Sequence, residues 1–222
     1  TYHNTGTIYQ LSQLPDGRSV MKYPMGMAML WLPFYAVGDV IARITGHARD
    51  GFSAPYQWSI ICALLLYSIA GLLVLRRVLL VYFNDAIVAA TLALMVMGTN
   101  YMHQAVYSTG MPHAFLFTLY AGVLWHTIRW HQAHRRRDAL LLGVLMGLLV
   151  VARPSEAVCV FIPFLFGFVL ADGWRGLVRS WWSWRGHVLL IALAAFVLVL
   201  PQLAYWKWMT GKWLYMSYNN PG

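Results

Sequence analysis

The chain has 222 residues, 60% hydrophobic and only 10% charged, with 11 Trp and 13 Tyr. A soluble domain of this length carries roughly 25% charged residues, so the composition excludes that class and points to a multi-pass membrane protein. A net charge of +9 would suggest nucleic acid in a soluble chain, but most Arg residues here lie in short loops between apolar runs. The orientation rule for membrane proteins explains them without a nucleic-acid partner.

Residues 1–23 are polar, contain the turn signal Asp16-Gly17, and end with Lys22 and Tyr23 just before Pro24. The chain opens at Thr1 without Met or a signal peptide, so it reads as a fragment whose first 23 residues are the remnant of a periplasmic loop. Residues 24–45 are apolar but broken up by Pro33, Gly38, Asp39 and Arg43, which favours an interfacial juxtamembrane helix over a spanning one. After a loop at 46–57, six apolar runs are expected to be membrane helices: 58–78, 86–104, 111–129, 139–152, 155–171 and 187–206. Residues 207–222 form a polar periplasmic tail. The expected architecture is therefore all-α, one transmembrane helical bundle of six spanning helices and one interfacial helix. Cys62 and Cys159 fall inside apolar runs without metal-ligand spacing, so neither a disulfide nor a metal site is indicated.

Alternate loops differ in charge. One side collects nine Lys or Arg, namely Arg76, Arg77, Arg129, Arg135, Arg136, Arg137, Arg175, Arg179 and Arg185, and is expected to be cytoplasmic. The other side holds loop 100–112, Arg153, and the tail with Lys207 and Lys212, and is expected to be periplasmic. Trp181, Trp182, Trp184, Trp206, Trp208 and Trp213 stand where interfacial anchors belong.

Arg153-Pro154-Ser155-Glu156 interrupts the apolar run from Leu140 to Leu170 and contains the only Glu of the chain. Pro154 ends one helix and is preorganised to start the next. Each half is about 15 to 17 residues, or roughly 24 Å against a core about 30 Å thick, so the junction is expected to lie below the headgroups. Ionisable groups at that depth face a cavity or a partner and mark a functional site. The plainer alternative is that Arg153 and Glu156 only pair and stabilise the hairpin.

The expected periplasmic face gathers Lys22 and Tyr23, His103, Tyr107 and His113, Arg153 and Glu156, and Tyr205, Lys207 and Tyr218. A basic, aromatic cleft at bilayer depth suits a lipid with a phosphate head, while aromatic rings can stack on a sugar. His113 follows Pro112 at a helix entrance, as a general base, a donor to phosphate, or a plain capping residue. His126, His131 and His134 beside Arg135–Arg137 read as a solvated basic loop rather than a metal site.

Together these segments resemble integral membrane glycosyltransferases of the C-type fold, the group that includes protein O-mannosyltransferases and the bacterial lipid A aminoarabinose transferase. Lys22-Tyr23-Pro24-Met25-Gly26 with Leu30-Trp31-Leu32-Pro33-Phe34-Tyr35 resembles their juxtamembrane helix after the first periplasmic loop. Arg76-Arg77 with Phe83-Asn84-Asp85 resembles a cytoplasmic turn, and Ala152-Arg153-Pro154 their later arginine-proline break. Two departures stand out. The first acidic motif would lie upstream of Thr1, and the second position, Ser108 to His113, has no carboxylate, leaving His113 as a substitute or a different arrangement in this subgroup.

The resemblance implies transfer of a sugar from a polyprenyl-phosphate donor to a glycan, lipid or protein acceptor on the periplasmic side of a bacterial inner membrane, with inversion at the anomeric carbon. It implies a base upstream, His113 and Glu156 as catalytic-site residues, and Lys22, Tyr23, Tyr107 and Arg153 as contacts to the donor. No cofactor is implied with certainty. Glu156 would orient Arg153 or hold a divalent metal, and orientation ranks first because one carboxylate makes a poor hard-cation site. Two alternatives are a lipid-linked sugar flippase, which needs ionisable groups along a path to both faces whereas the unusual polar groups here cluster on one, and a non-catalytic membrane subunit binding a partner through its Trp-rich ends, in which Arg153 and Glu156 would tolerate Ala.

Overall fold

The computed structural model describes residues 11–14, 17–107, 111–170 and 173–215. Asp16, residues 108–110 and Tyr218, all named above, lie outside that set.

The polar N-terminal segment folds as a hairpin in which β1 (Leu11–Gln13) and β2 (Ser19–Met21) pair antiparallel, Leu11 opposite Met21. Gly17 in its turn has φ 83°, a left-handed value that glycine takes without a steric cost. Helices α1 (Gly26–Thr45), α2 (Ala54–Leu79), α3 (Asp85–Gly98), α4 (Tyr101–Val106), α5 (His113–Ala133) and α6 (Arg136–Ala152) follow. A 3-10 segment, Pro154–Val160, leads into α7 (Phe161–Leu170), α8 (Gly173–Ser183) and α9 (Arg185–Thr210). Local chemistry sets several of these boundaries. Asn84 caps α3 by accepting from the Ile87 N–H at 3.0 Å, Gly46 closes α1 in a left-handed conformation, and Arg153 is extended ahead of Pro154.

Helices α5 and α6 form the centre of the bundle, with α2 against α5 and α9 against α6. The core joins Leu64 of α2, Phe115, Leu119 and Val123 of α5, Leu142, Met146 and Leu149 of α6, and Cys159. Gly143 and Gly147 let α6 approach α9 closely. A Cβ on either would press on the backbone of Ile191 or Ala195, so small residues four apart set this contact. Because Gly143 meets Ile191 while Gly147 meets Leu198, α6 and α9 run parallel. The loop beginning at His134 and the start of α9 therefore share one end of the bundle, where His134 stacks on Trp184 at 4.0 Å.

The all-α membrane bundle stands as expected, with differences in its pieces. By length and composition α1, α2 and α9 can each cross a bilayer, and the bent pair Pro154–Phe168 with Gly173–Ser183 adds a broken span. The expected helix 86–104 divides into α3 and α4. Thr99 is extended, and its hydroxyl accepts from the Tyr101 N–H at 3.2 Å, starting a new helix in competition with the old one. The run 155–171 opens as a 3-10 segment before α7 begins at Phe161. Residues 173–183, expected as a Trp- and Arg-bearing loop, form helix α8.

Candidate functional site

The break after α6 places Arg153 and Glu156 together. Arg153 Nε lies 3.7 Å from Glu156 Oε1, and the Arg side chain is 54% exposed while that of Glu156 is 16% exposed. Glu156 is held from a second side, because the Tyr120 hydroxyl on α5 donates to its Oε2 at 2.5 Å. Ser155 Oγ adds a long contact to Oε1 at 3.5 Å. The carboxylate is thus fixed between two helices, and its Arg partner extends toward the outside. The contact to Glu156 runs through Nε, at a distance of an ion pair rather than a hydrogen bond.

The segment carrying Lys22 and Tyr23 is brought to this end by three fastenings. The Met21 N–H donates to the Tyr205 hydroxyl at 3.1 Å, and the Met25 N–H donates to Gln202 Oε1 at 2.7 Å, both on α9. Gln202 is 3% exposed. The third is Gly26 at the start of α1. It lies against Ala152, the last residue of α6, so closely that a Cβ would collide with the Ala152 backbone. Residue 22 is thus four positions from a residue touching Ala152, and Arg153 is the next residue in the chain. Lys22 is half-buried and Tyr23 exposed.

His113 is exposed at the first turn of α5, seven residues before Tyr120, which is about 10 Å along the helix. Tyr107 is 77% exposed at the end of α4, its ring 5.8 Å from that of His103. Among the described residues, no hydrogen bond, ion pair or ring contact joins His113 or Tyr107 to the Arg153–Glu156 pair. Arg153 and Glu156 thus stand at the end of α6, with Lys22 and Tyr23 in the segment that enters α1 beside Ala152, while His113 and Tyr107 stand at the mouth of α5.

Sequence reasoning missed Tyr120 and Gln202. A Tyr inside an apolar helix carries no mark of its partner, but Gln202, directly after Pro201 in an apolar run, was a readable signal of a buried polar contact. The oxygens of Glu156 face a hydroxyl on one side and a guanidinium on the other, and no group of three His, Cys, Asp or Glu converges among the described residues.

A second polar cluster lies at the other end. Asp138, 2% exposed, accepts from Arg129 Nε at 3.0 Å and lies 2.9 Å from His126 Nδ1, tying the start of α6 to α5. His126 thus belongs to a part-buried polar cluster around Asp138 rather than to the solvated loop expected from sequence.

Residues 52–205 match the family model described as dolichyl-phosphate-mannose-protein mannosyltransferase. That stretch contains α2 through most of α9, including Arg153, Glu156, Tyr107 and His113, and leaves Lys22, Tyr23 and α1 outside. No curated protein and no solved structure gives a significant match.

Proposed function

The chain belongs to the dolichyl-phosphate-mannose-protein mannosyltransferase family, a membrane glycosyltransferase of the mannosyltransferase type, and from that premise we propose that the end of α6 holds the phosphate of a polyprenyl-phosphate-linked sugar. The observation that carries this reading is the Arg153 side chain, half exposed at a helix break and anchored through a largely buried Glu156 that Tyr120 also holds. A planar guanidinium fixed at one edge suits bidentate recognition of phosphate oxygens.

In the transfer, the bond from the sugar's anomeric carbon to the lipid phosphate breaks while the acceptor oxygen bonds to that carbon from the opposite face. The electron pair of the broken bond leaves with the phosphate, and the acceptor's proton passes to a base. Arg153 and Lys22 offset the negative charge that grows on the phosphate, an effect strongest where water is excluded. His113, exposed at the mouth of α5, is the candidate to take the proton; Glu156 orients Arg153, and Tyr23 and Tyr107 offer faces to the sugar. In this reading the acceptor is a glycan, lipid or protein on the side away from the Arg-rich loops, and the charge asymmetry supports that side being the periplasm. In this reading α1 lies along that interface, which its internal Pro33, Asp39 and Arg43 support, and its Asp39 is clasped by Arg49, whose Nη2 donates to Asp39 Oδ2 at 2.7 Å.

The test is transfer from a polyprenyl-phosphate mannose donor by the full-length protein in membranes. Arg153→Ala is expected to lower turnover about a hundredfold at unchanged membrane abundance, and Arg153→Lys to retain more. Turnover near wild type in the Ala variant would remove the phosphate role.

A further inference from the structure

The Arg-rich end of the bundle carries a groove that the transfer chemistry does not use. Helix α8 is bent by 109° from the segment Pro154–Phe168 before it. Its sequence puts Trp174, Leu177, Val178 and Trp181 on one stripe, with Arg175 and Arg179 to the side. That stripe folds back on α7. Phe164 makes edge contacts with Trp174 at 5.6 Å and Trp181 at 5.4 Å, and Leu177 is 1% exposed. Between α7, α8 and the first turns of α9 a groove of about 480 Å³ remains, walled by Phe164, Trp181, Val188 and Leu189 and edged by Trp182 and Arg185.

Two observations point to an occupant. The Trp181 indole N–H is buried in this apolar setting with no hydrogen-bond partner, and buried donors normally have one. The charge around the groove is one-sided: residues 173–192 contain three Arg and no Asp or Glu, and the Arg185 guanidinium sits 5.7 Å from the Trp182 ring. We propose that the groove holds an anionic phospholipid of the leaflet that this face meets. Its acyl chain lies along Phe164, Val188 and Leu189, its phosphate faces Arg185 with Arg175 and Arg179 adding to the positive field, and an ester carbonyl accepts from Trp181. The apolar wall suits a hydrocarbon chain, and the Arg edge selects an anionic over a zwitterionic head.

The experiment is native mass spectrometry of the full-length protein in detergent, mixed with equal amounts of phosphatidylglycerol and phosphatidylcholine. Phosphatidylglycerol is expected to be retained about fivefold or more over phosphatidylcholine, and Arg185→Gln to reduce that preference about fivefold. Arg185→Lys is expected to keep it. Trp181→Phe, which preserves the ring and deletes only the N–H, is expected to weaken both lipids alike. Equal retention of the two lipids, or an unchanged preference in Arg185→Gln, would overturn the assignment. So would retention of neither lipid with Trp182→Cys cross-linking two copies, which would make the face a self-association surface.

Discussion

Glu156 acts in this reading only through Arg153, which gives it a specific energetic signature. Glu156→Gln keeps the side-chain shape and an acceptor for Tyr120 but removes the charge that steadies the guanidinium. Transfer is expected to fall about tenfold in kcat/KM, and the double variant Arg153→Ala/Glu156→Gln to be no worse than Arg153→Ala alone. Losses that instead multiply would give Glu156 a role of its own in the chemistry. The pair itself was legible in the sequence, because two ionisable residues inside an apolar run are too costly to be incidental. Its anchor was not, since nothing marks Tyr120 among the other aromatic residues of α5.

At the opposite end, His134 stacks on Trp184 and lies near His187, and burial first, then the His187 charge, holds its pKa below the ordinary 6.5. An unfolded chain therefore binds a proton here more readily than the folded one. The stability associated with a neutral His134 is present above that ordinary value and is lost as pH falls below it. The thermal midpoint in detergent is expected to drop between about pH 7 and about pH 5, and His134→Phe, which keeps a ring against Trp184, to reduce the drop. An identical pH profile in the variant would place the sensitivity elsewhere.

Among the elements, the junction of α1 with α6 is the contact that brings the N-terminal segment to Arg153. A Cβ at Gly26 would meet the backbone of Ala152, which cannot yield as a flexible side chain does. Gly26→Ala is therefore expected to cost about 1 to 3 kcal/mol and to lower transfer by shifting Lys22. Gly98→Ala is the control. Nothing lies within 4 Å of a Cβ there, at the end of α3, and replacing Gly in a helix is neutral or gains up to about 1 kcal/mol. Thermal unfolding of both variants checks the contrast, and equal stability would mean that the junction has slack.

The helices were legible to different depths for physical reasons. Long apolar runs and caps such as Arg153-Pro154 marked α2, α5, α6 and α9 to within a few residues. The division of α3 from α4 was hidden, because one hydroxyl at Thr99 decides it inside a run that stays apolar on both sides. Helix α8 was hidden for the opposite reason. Its Trp and Arg residues match interfacial anchors by composition, and only their spacing, Trp174 to Leu177 to Trp181, shows the amphipathic stripe.

For the whole molecule, the packing separates two ends with different chemistry. Parallel pairing of α6 with α9 sets Arg136 and Arg185, near their N-termini, at one end, and Ala152 with Gln202 at the other, where Met25 and Gly26 bridge them. Lys and Arg at helix ends resist translocation, and the proposed orientation accordingly puts the crowded Arg end in the cytoplasm and the Arg153 end away from it. On the function proposed above, sugar transfer takes place at the end where a polyprenyl phosphate presents its head to a periplasmic acceptor. With Cys62 replaced by Ser, an impermeant maleimide is expected to label Met111→Cys, 56% exposed ahead of α5, in intact cells. Arg136→Cys, at the start of α6, is expected to react only after permeabilisation. The reverse pattern would turn the bundle over, put Arg153 on the cytoplasmic side, and require the proposed acceptor and donor to meet there instead.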